Sequence, residues 1–161
     1  MPISSVGNNA RRGVTLIEML VVVTIIGIML AVVSPSLTAG LDAIRMTSAS
    51  SSVAAFLNAA INRSERRQVA IEVAISLKES KLTMYSETGV QGELKLPDGI
   101  LIDAVLPRTD EDSDGVRRLI LMPGASVPGI GIQLANRRGG RRIIRLDPMT
   151  GFPRTEMVQV Q

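Results

Sequence analysis

An apolar run near the amino terminus constrains this chain more than any other feature. Residues 14–34 contain a single ionisable side chain, that of Glu18. As a helix rising roughly 1.5 Å per residue, the run would extend about 31 Å, the thickness of a bilayer's hydrocarbon core. Arg11 and Arg12 precede it. The run therefore predicts a single membrane-spanning helix with a cytoplasmic amino terminus and the rest of the chain outside.

Two ordinary kinds of segment explain this run only in part. A secretory signal peptide has a shorter apolar region, of about 7 to 15 residues, and a small-residue cleavage site after it. Here only "SLTAG" (residues 36–40) could serve as that site. A plain membrane anchor explains the length of the run but gives Glu18 no function. An acid within a membrane segment is unfavourable, so an anchor alone does not explain why Glu18 is there.

The residues around Glu18 resemble the type IV prepilin signal. A short polar leader, residues 1–13, ends in Gly13 and is followed by "VTLIE" and the apolar run. The resemblance implies that a dedicated peptidase cuts between Gly13 and Val14 on the cytoplasmic side and leaves the helix in the membrane. It also implies that Val14 becomes an N-methylated amino terminus, although the family more often has Phe at this position. Glu18 would then contact the amine of a neighbouring subunit in a filament.

Electrostatics favours the same role for Glu18. The residue lies in or next to the first turn of the predicted helix, where the positive end of the helix dipole favours an anion. A buried carboxylate is tolerated only when it is paired and hydrogen-bonded. The amine of a neighbouring subunit would supply the required cation.

Beyond the apolar run, the sequence predicts that the helix continues to residue 67. Pro35 lacks a backbone donor, so we expect it to kink or interrupt the helix where the chain leaves the bilayer. Apolar residues then recur at spacings of three and four, which is typical of a helix with one buried face: Leu37, Leu41, Ile44, Val53, Phe56, Leu57, Ala60 and Ile61. The small, polar stretch "TSASSSV" (residues 47–53) favours either a flexible length or a small-residue surface where helices approach closely.

After Arg67 the periodicity becomes that of short strands. Turn signals rich in Gly, Pro and Asp separate the candidates, which are residues 69–78, 81–87, 93–96, 100–106, 116–122, 130–135, 141–147 and 157–160. So many short strands predict two small antiparallel sheets, one of them packed on the helix. The expected fold class is α+β: a long amino-terminal helix, first transmembrane and then amphipathic, packed on a two-sheet head.

The stretch "NAAINRSERRQVAIEV" (residues 58–73) is similar to the helix end and first strand of the minor pseudopilin family GspH/FimT. The resemblance implies a structural subunit of a type II secretion pseudopilus or type IV pilus in the bacterial inner membrane. Its partners would be other pilins, the prepilin peptidase and an inner-membrane assembly platform. The implied segments are a leader (1–13), a transmembrane and filament-core helix (14–34), its amphipathic continuation (35–67) and a β-rich extracytoplasmic head (68–161).

An acidic segment, "DEDSDG", is a candidate calcium loop. Asp110, Asp112, Asp114 and Gly115 have the spacing that opens such a loop, in which alternating oxygen donors surround a hard cation. The closing acid is missing, since Leu121 stands at the twelfth position. The segment therefore predicts either a calcium site completed by other ligands or a solvated acidic hairpin loop.

A basic segment, "RRGGRR", is a candidate DNA contact. Its glycine pair suits a two-residue hairpin turn, and four guanidinium groups beside it could bind phosphates. One branch of GspH/FimT takes up DNA through a carboxy-terminal Gly-Arg-x-Arg motif, and this chain has "GFPR" there, with Gly151 and Arg154 matching. The candidate DNA contacts are Arg137, Arg138, Arg141, Arg142 and Arg154. The alternative is a charged hairpin edge that resists aggregation.

The composition argues against an enzyme. The chain has no His and no Cys, so the commonest general base, metal ligand and thiol nucleophile are missing. Neither Gly-x-Ser-x-Gly nor Ser-x-x-Lys occurs. We therefore expect no catalytic residues and, calcium apart, no cofactor.

Overall fold

The computed structural model describes residues 14–108 and 115–157, with side chains described outside residues 32–39. The chain divides into two compact units, Met1–Ala39 and Gly40–Gln161. The predicted leader, with Gly13 at its end, lies outside the described residues.

One helix, α1 (Leu16–Arg67), accounts for both predicted helical segments. It ends at the predicted residue, and it includes Pro35. Of the two effects expected of this proline, the interruption is therefore wrong, and the kink stays a prediction. A proline removes one backbone hydrogen bond, and the remaining bonds on either side can hold the helix together.

Within Gly40–Gln161, the buried face of α1 begins later than the periodicity predicted. Leu41 and Ile44 are exposed, because the sheets cover the helix only from Met46 onward. The buried face consists of Met46, Ala49, Ser50, Val53, Leu57, Ala60 and Ser64. In the described residues the stretch "TSASSSV" lies against the sheets and not against another helix, and the Ser50 hydroxyl donates to the Met46 carbonyl at 2.8 Å.

The described residues after α1 form eight strands, close to those predicted. They are β1 (Ile71–Ser76), β2 (Lys81–Ser86), β3 (Gly89–Lys95), β4 (Ile100–Leu106), β5 (Val116–Leu121), β6 (Gly131–Asn136), β7 (Arg141–Leu146) and β8 (Pro153–Met157). They build two four-stranded sheets, in the orders β3-β2-β1-β5 and β4-β6-β7-β8. All pairings are antiparallel. The α+β architecture with a two-sheet head is confirmed.

One hydrophobic core joins α1 to both sheets. Leu57 of α1, Ile75 of β1 and Ile132 of β6 are fully buried members of the same cluster. β1 and β2 each bury three consecutive residues, 73–75 and 82–84, so these strands are covered on more than one face. The core therefore fixes the last turns of α1 against the strands, and with them the arginines described below.

The largest differences from the prediction are the starts of two strands. β3 begins at Gly89 rather than residue 93, because Ser86 pairs with Gly89 across the two-residue loop 87–88, and Gly89 itself takes a φ of 97°. β8 begins at Pro153 rather than residue 157, and Pro153 pairs with Leu146 of β7. A proline is tolerated at the first position of an edge strand. The rest of the predicted last strand lies outside the described residues.

Candidate functional site

The start of α1 is capped by Thr15. The Glu18 amide donates to the Thr15 carbonyl at 3.1 Å and to the Thr15 hydroxyl at 3.3 Å, and the Met19 amide donates to the same carbonyl at 3.2 Å. These bonds satisfy amides that a helix start leaves without partners. Thr15 is not among the residues predicted for this site, although Thr-x-x-Glu is the spacing of a capping box and indicates such a cap.

Glu18 lies in the first turn of α1 with its side chain exposed. Its backbone is held by Thr15, while its carboxylate forms no ion pair with any of the described residues. The helix dipole favours a negative charge at this position. The carboxylate is therefore positioned at the helix start and available to a cation from another molecule.

The side chains that follow Glu18 form an exposed apolar surface. Leu16 is 85% exposed and Leu30 is 65% exposed, and every residue from 14 to 31 is classed as exposed. A large apolar surface of this kind marks contact with another protein or with lipid.

In the part of the chain that the structure describes, no helix combines the length and the apolar character that crossing a membrane requires.

Four of the five candidate DNA contacts lie together at the β6–β7 hairpin. Its tip is a three-residue loop, 137–139, rather than the predicted Gly-Gly turn: the Asn136 amide donates to the Gly140 carbonyl at 2.9 Å, and only Gly139 takes a positive φ, of 83°. The Asn136 side chain accounts for the difference, because its Oδ1 accepts from the Gly140 amide at 2.7 Å.

Three of these arginines have carboxylate partners in the same chain. Arg138 Nε lies 2.9 Å from Asp42 Oδ2, and Arg141 Nε lies 3.7 Å from Asp103 Oδ2. Arg154 is 3.5 Å from Asp147. Arg154 of β8 pairs in register with Arg145 of β7. Because Arg145 lies four positions along β7 from Arg141, Arg154 is not at the hairpin tip.

The candidate calcium ligands Asp110, Asp112 and Asp114 lie outside the described residues. Within the described ranges, no group of three or more acidic side chains is arranged to hold a metal ion. Calcium binding by the acidic segment stays a prediction.

Comparisons with known proteins agree with the amino-terminal motif and the fold. The family model for the prokaryotic N-terminal methylation motif matches residues 8–34. A solved structure, the minor pseudopilin EpsH from the Type 2 Secretion System of Vibrio cholerae, is similar with a TM-score of 0.54 at 12% identity. The alignment covers 69% of this chain and 95% of that one. The chain carries a prokaryotic N-terminal methylation motif, and its fold is similar to that of a minor pseudopilin. No curated protein matches the sequence.

The methylation motif includes the residues predicted to matter near the amino terminus. Gly13, Val14 and Glu18 all fall within the matched residues 8–34. The structural similarity, at 12% identity, concerns the fold alone.

Proposed function

We propose that this chain is a minor pilin or pseudopilin, a structural subunit that prepilin peptidase cuts between Gly13 and Val14. The observation that carries the proposal is the methylation motif over residues 8–34. Val14 would be the methylated amino terminus. The expected setting is the bacterial inner membrane, with a single pass, a cytoplasmic amino terminus and the head on the other side.

The proposed mechanism is assembly by packing of α1 from neighbouring subunits. An inner-membrane platform extracts the processed helix, and the apolar side chains of residues 14–31, which are exposed in the single chain, become buried against other pilins. Glu18 then meets the amine of an adjacent Val14. A charge pair in an apolar setting is stable only when both partners are present, so this contact would set the register of the subunits.

We assign the filament to protein secretion, as a type II secretion pseudopilus. The support is the fold similarity to EpsH, which comes from a type 2 secretion system. The role is structural rather than catalytic, in keeping with a sequence that lacks His and Cys.

The first test is the mass of the mature protein. When the chain is expressed with a prepilin peptidase, intact-mass analysis should give residues 14–161 carrying one added methyl group. Without the peptidase, the mass should be that of residues 1–161. A full-length mass in the presence of an active peptidase would identify a plain membrane anchor instead, and a chain that begins after residue 40 would identify a secretory signal.

The second test replaces Glu18. Glu18→Gln should leave the processed mass unchanged but reduce recovery of the subunit in sheared filaments by about tenfold or more, since the partner amine would lose its counter-charge. Glu87→Gln, an exposed acid of the β2–β3 loop, is the matched control and should assemble normally. Assembly of Glu18→Gln at the level of the unaltered chain would contradict the mechanism.

DNA binding during DNA uptake is the second candidate function. The grouping of Arg137, Arg138, Arg141 and Arg142 at one hairpin favours it. The carboxylate partners of Arg138 and Arg141 weigh against it, because they neutralise part of the charge that phosphates would meet.

A further inference from the structure

An open groove of about 500 Å³ runs along the last turns of α1, outside the residues discussed so far. We call it the arginine groove. Its polar side chains are Asn58, Asn62, Arg63, Arg66 and Arg67, and Met84 of β2 lies beside them. Three guanidinium groups and two amides thus line one recess, which gives it the chemistry of an anion site.

The arginines of the groove lack carboxylate partners within the described residues. The helix dipole favours Arg66 and Arg67 in the last turn of α1, but it does not explain Arg63. The Arg63 side chain is half-buried, and Gln91 accepts a hydrogen bond from its Nη2. Its Nε is buried and has no hydrogen-bond partner among the residues that the structure describes.

A buried guanidinium N–H without an acceptor among the described residues is unfavourable, and the neighbouring positive charges of Arg66 and Arg67 are exposed to an anion from outside. The ligand chemistry that fits is a carboxylate, because its two oxygens can accept from adjacent N–H groups of one guanidinium. Several carboxylates close together would engage Arg63, Arg66 and Arg67 at once.

This chain itself contains such a ligand. Four of the five residues 110–114 are acidic: Asp110, Glu111, Asp112 and Asp114. Their four negative charges complement the three positive charges of the groove. Electrostatic complementarity of this kind selects partners and fixes their orientation.

Arg67, at one end of the groove, is beyond the reach of the acidic segment of the same copy. Gly115, which follows the segment, accepts a hydrogen bond from the Leu77 amide at 2.9 Å, beyond the Ser76 end of β1. Arg67 lies just before the Ile71 end of that strand. The six residues of β1 separate these ends by roughly 17 Å or more, whereas a six-residue excursion that returns reaches about 10 Å. β5 also pairs with β1 on the side away from β2.

We propose that the arginine groove binds the acidic segment, residues 110–114, of a second copy of this chain. The contact joins two heads and goes beyond the assembly role of α1. This contact requires neither cleavage after Gly13 nor the Glu18 contact. The two proposals are therefore independent: the head-to-head contact can be disproved while the proposed function holds, and the proposed function can be disproved while the contact holds.

Disulfide trapping tests this contact directly, since the chain has no cysteine of its own. Two differently tagged full-length copies are co-purified in detergent, one with Asn62→Cys on the groove and one with Ser113→Cys in the acidic segment. Ser113→Cys keeps all four acids. The matched control replaces Asn62→Cys by Met149→Cys, at a position 93% exposed on the β7–β8 turn.

The expected result is a disulfide-linked pair of the two tagged copies, formed about tenfold more than in the control. Arg66→Glu with Arg67→Glu should abolish the excess, and Asp110→Lys with Asp112→Lys in the other copy should restore it. Yields equal to the control, or yields that do not respond to charge reversal, would overturn the proposal. So would a disulfide within one chain when both cysteines are placed in the same copy.

Discussion

Asp147 organises the β7–β8 turn through a single carboxylate. Its Oδ1 accepts from the Met149 amide at 2.9 Å and from the Thr150 amide at 3.3 Å. These backbone bonds, with the nearby Arg154 guanidinium, hold the pKa of Asp147 below its ordinary value of 3.8. Arg154 thus has a local structural role at this turn, which is a more economical account of the residue than DNA contact.

The lowered pKa of Asp147 predicts a pH dependence of stability. The ionised carboxylate contributes fully above the unfolded-state pKa, near 3.8, and the contribution is lost as the pH falls through the lowered folded-state pKa. Asp147→Asn should therefore lower the melting temperature at pH 7. The difference in melting temperature between this variant and the unaltered chain should disappear as the pH falls below 3.8. Glu87→Gln serves as the control. A difference in melting temperature that stays constant from pH 7 downward would contradict the proposed role of the ionised Asp147 carboxylate.

At the scale of elements, the end of α1 is held to the strands by polar as well as apolar contacts. The buried Ser64 hydroxyl lies 3.0 Å from the Val69 carbonyl and 3.1 Å from the Leu121 carbonyl. It therefore joins α1 to the chain just before β1 and to β5. Because buried carbonyls need donors, this serine fixes where the helix ends and, with it, the position of the arginine groove.

The apolar contacts between α1 and the strands give a prediction about stability. Leu57 is fully buried between α1 and the strands, and Leu57→Ala should lower the free energy of unfolding by about 3 kcal/mol through lost transfer energy and a residual cavity. Leu41→Ala removes the same atoms from a helix position that is 52% exposed and should cost less than about 1 kcal/mol. Thermal or denaturant unfolding in detergent measures both, and equal costs would contradict the observed buried face of α1.

At the scale of the whole molecule, the charge balance bears on DNA binding. The chain has 18 Lys and Arg against 15 Asp and Glu. Cleavage after Gly13 would remove Arg11 and Arg12 and no acid, which leaves a net charge of about +1. A nearly neutral protein attracts DNA only through a local patch, and two arginines of the hairpin patch already have carboxylate partners.

We therefore expect the full chain to bind duplex DNA only weakly near physiological salt. Replacing Arg137, Arg138, Arg141 and Arg142 together by Ala should leave that weak binding unchanged in a fluorescence anisotropy titration. The matched control replaces Arg63, Arg66 and Arg67 by Ala. The DNA-uptake function would be favoured instead if the unaltered chain bound DNA tightly and the salt dependence of binding fell only when the four hairpin arginines were replaced.

The sequence alone determined the elements and the amino-terminal motif. The apolar run, the period of α1 up to Arg67 and the alternation of the eight strands are local patterns, and local patterns follow from backbone geometry and side-chain burial. The motif around Gly13, Val14 and Glu18 is likewise contiguous. These parts were predictable because the residues that define them are neighbours in the chain.

Only the tertiary structure decided how these elements meet. The buried face of α1 starts at Met46 and not at Leu41, because the start depends on where distant strands cover the helix. β8 begins at Pro153 because β7 offers a partner there. The arginine groove brings Arg63 together with Gln91 of β3, 28 residues further along the chain. Contacts between residues so far apart in sequence are set by packing of the whole head, and no periodicity within either segment encodes them.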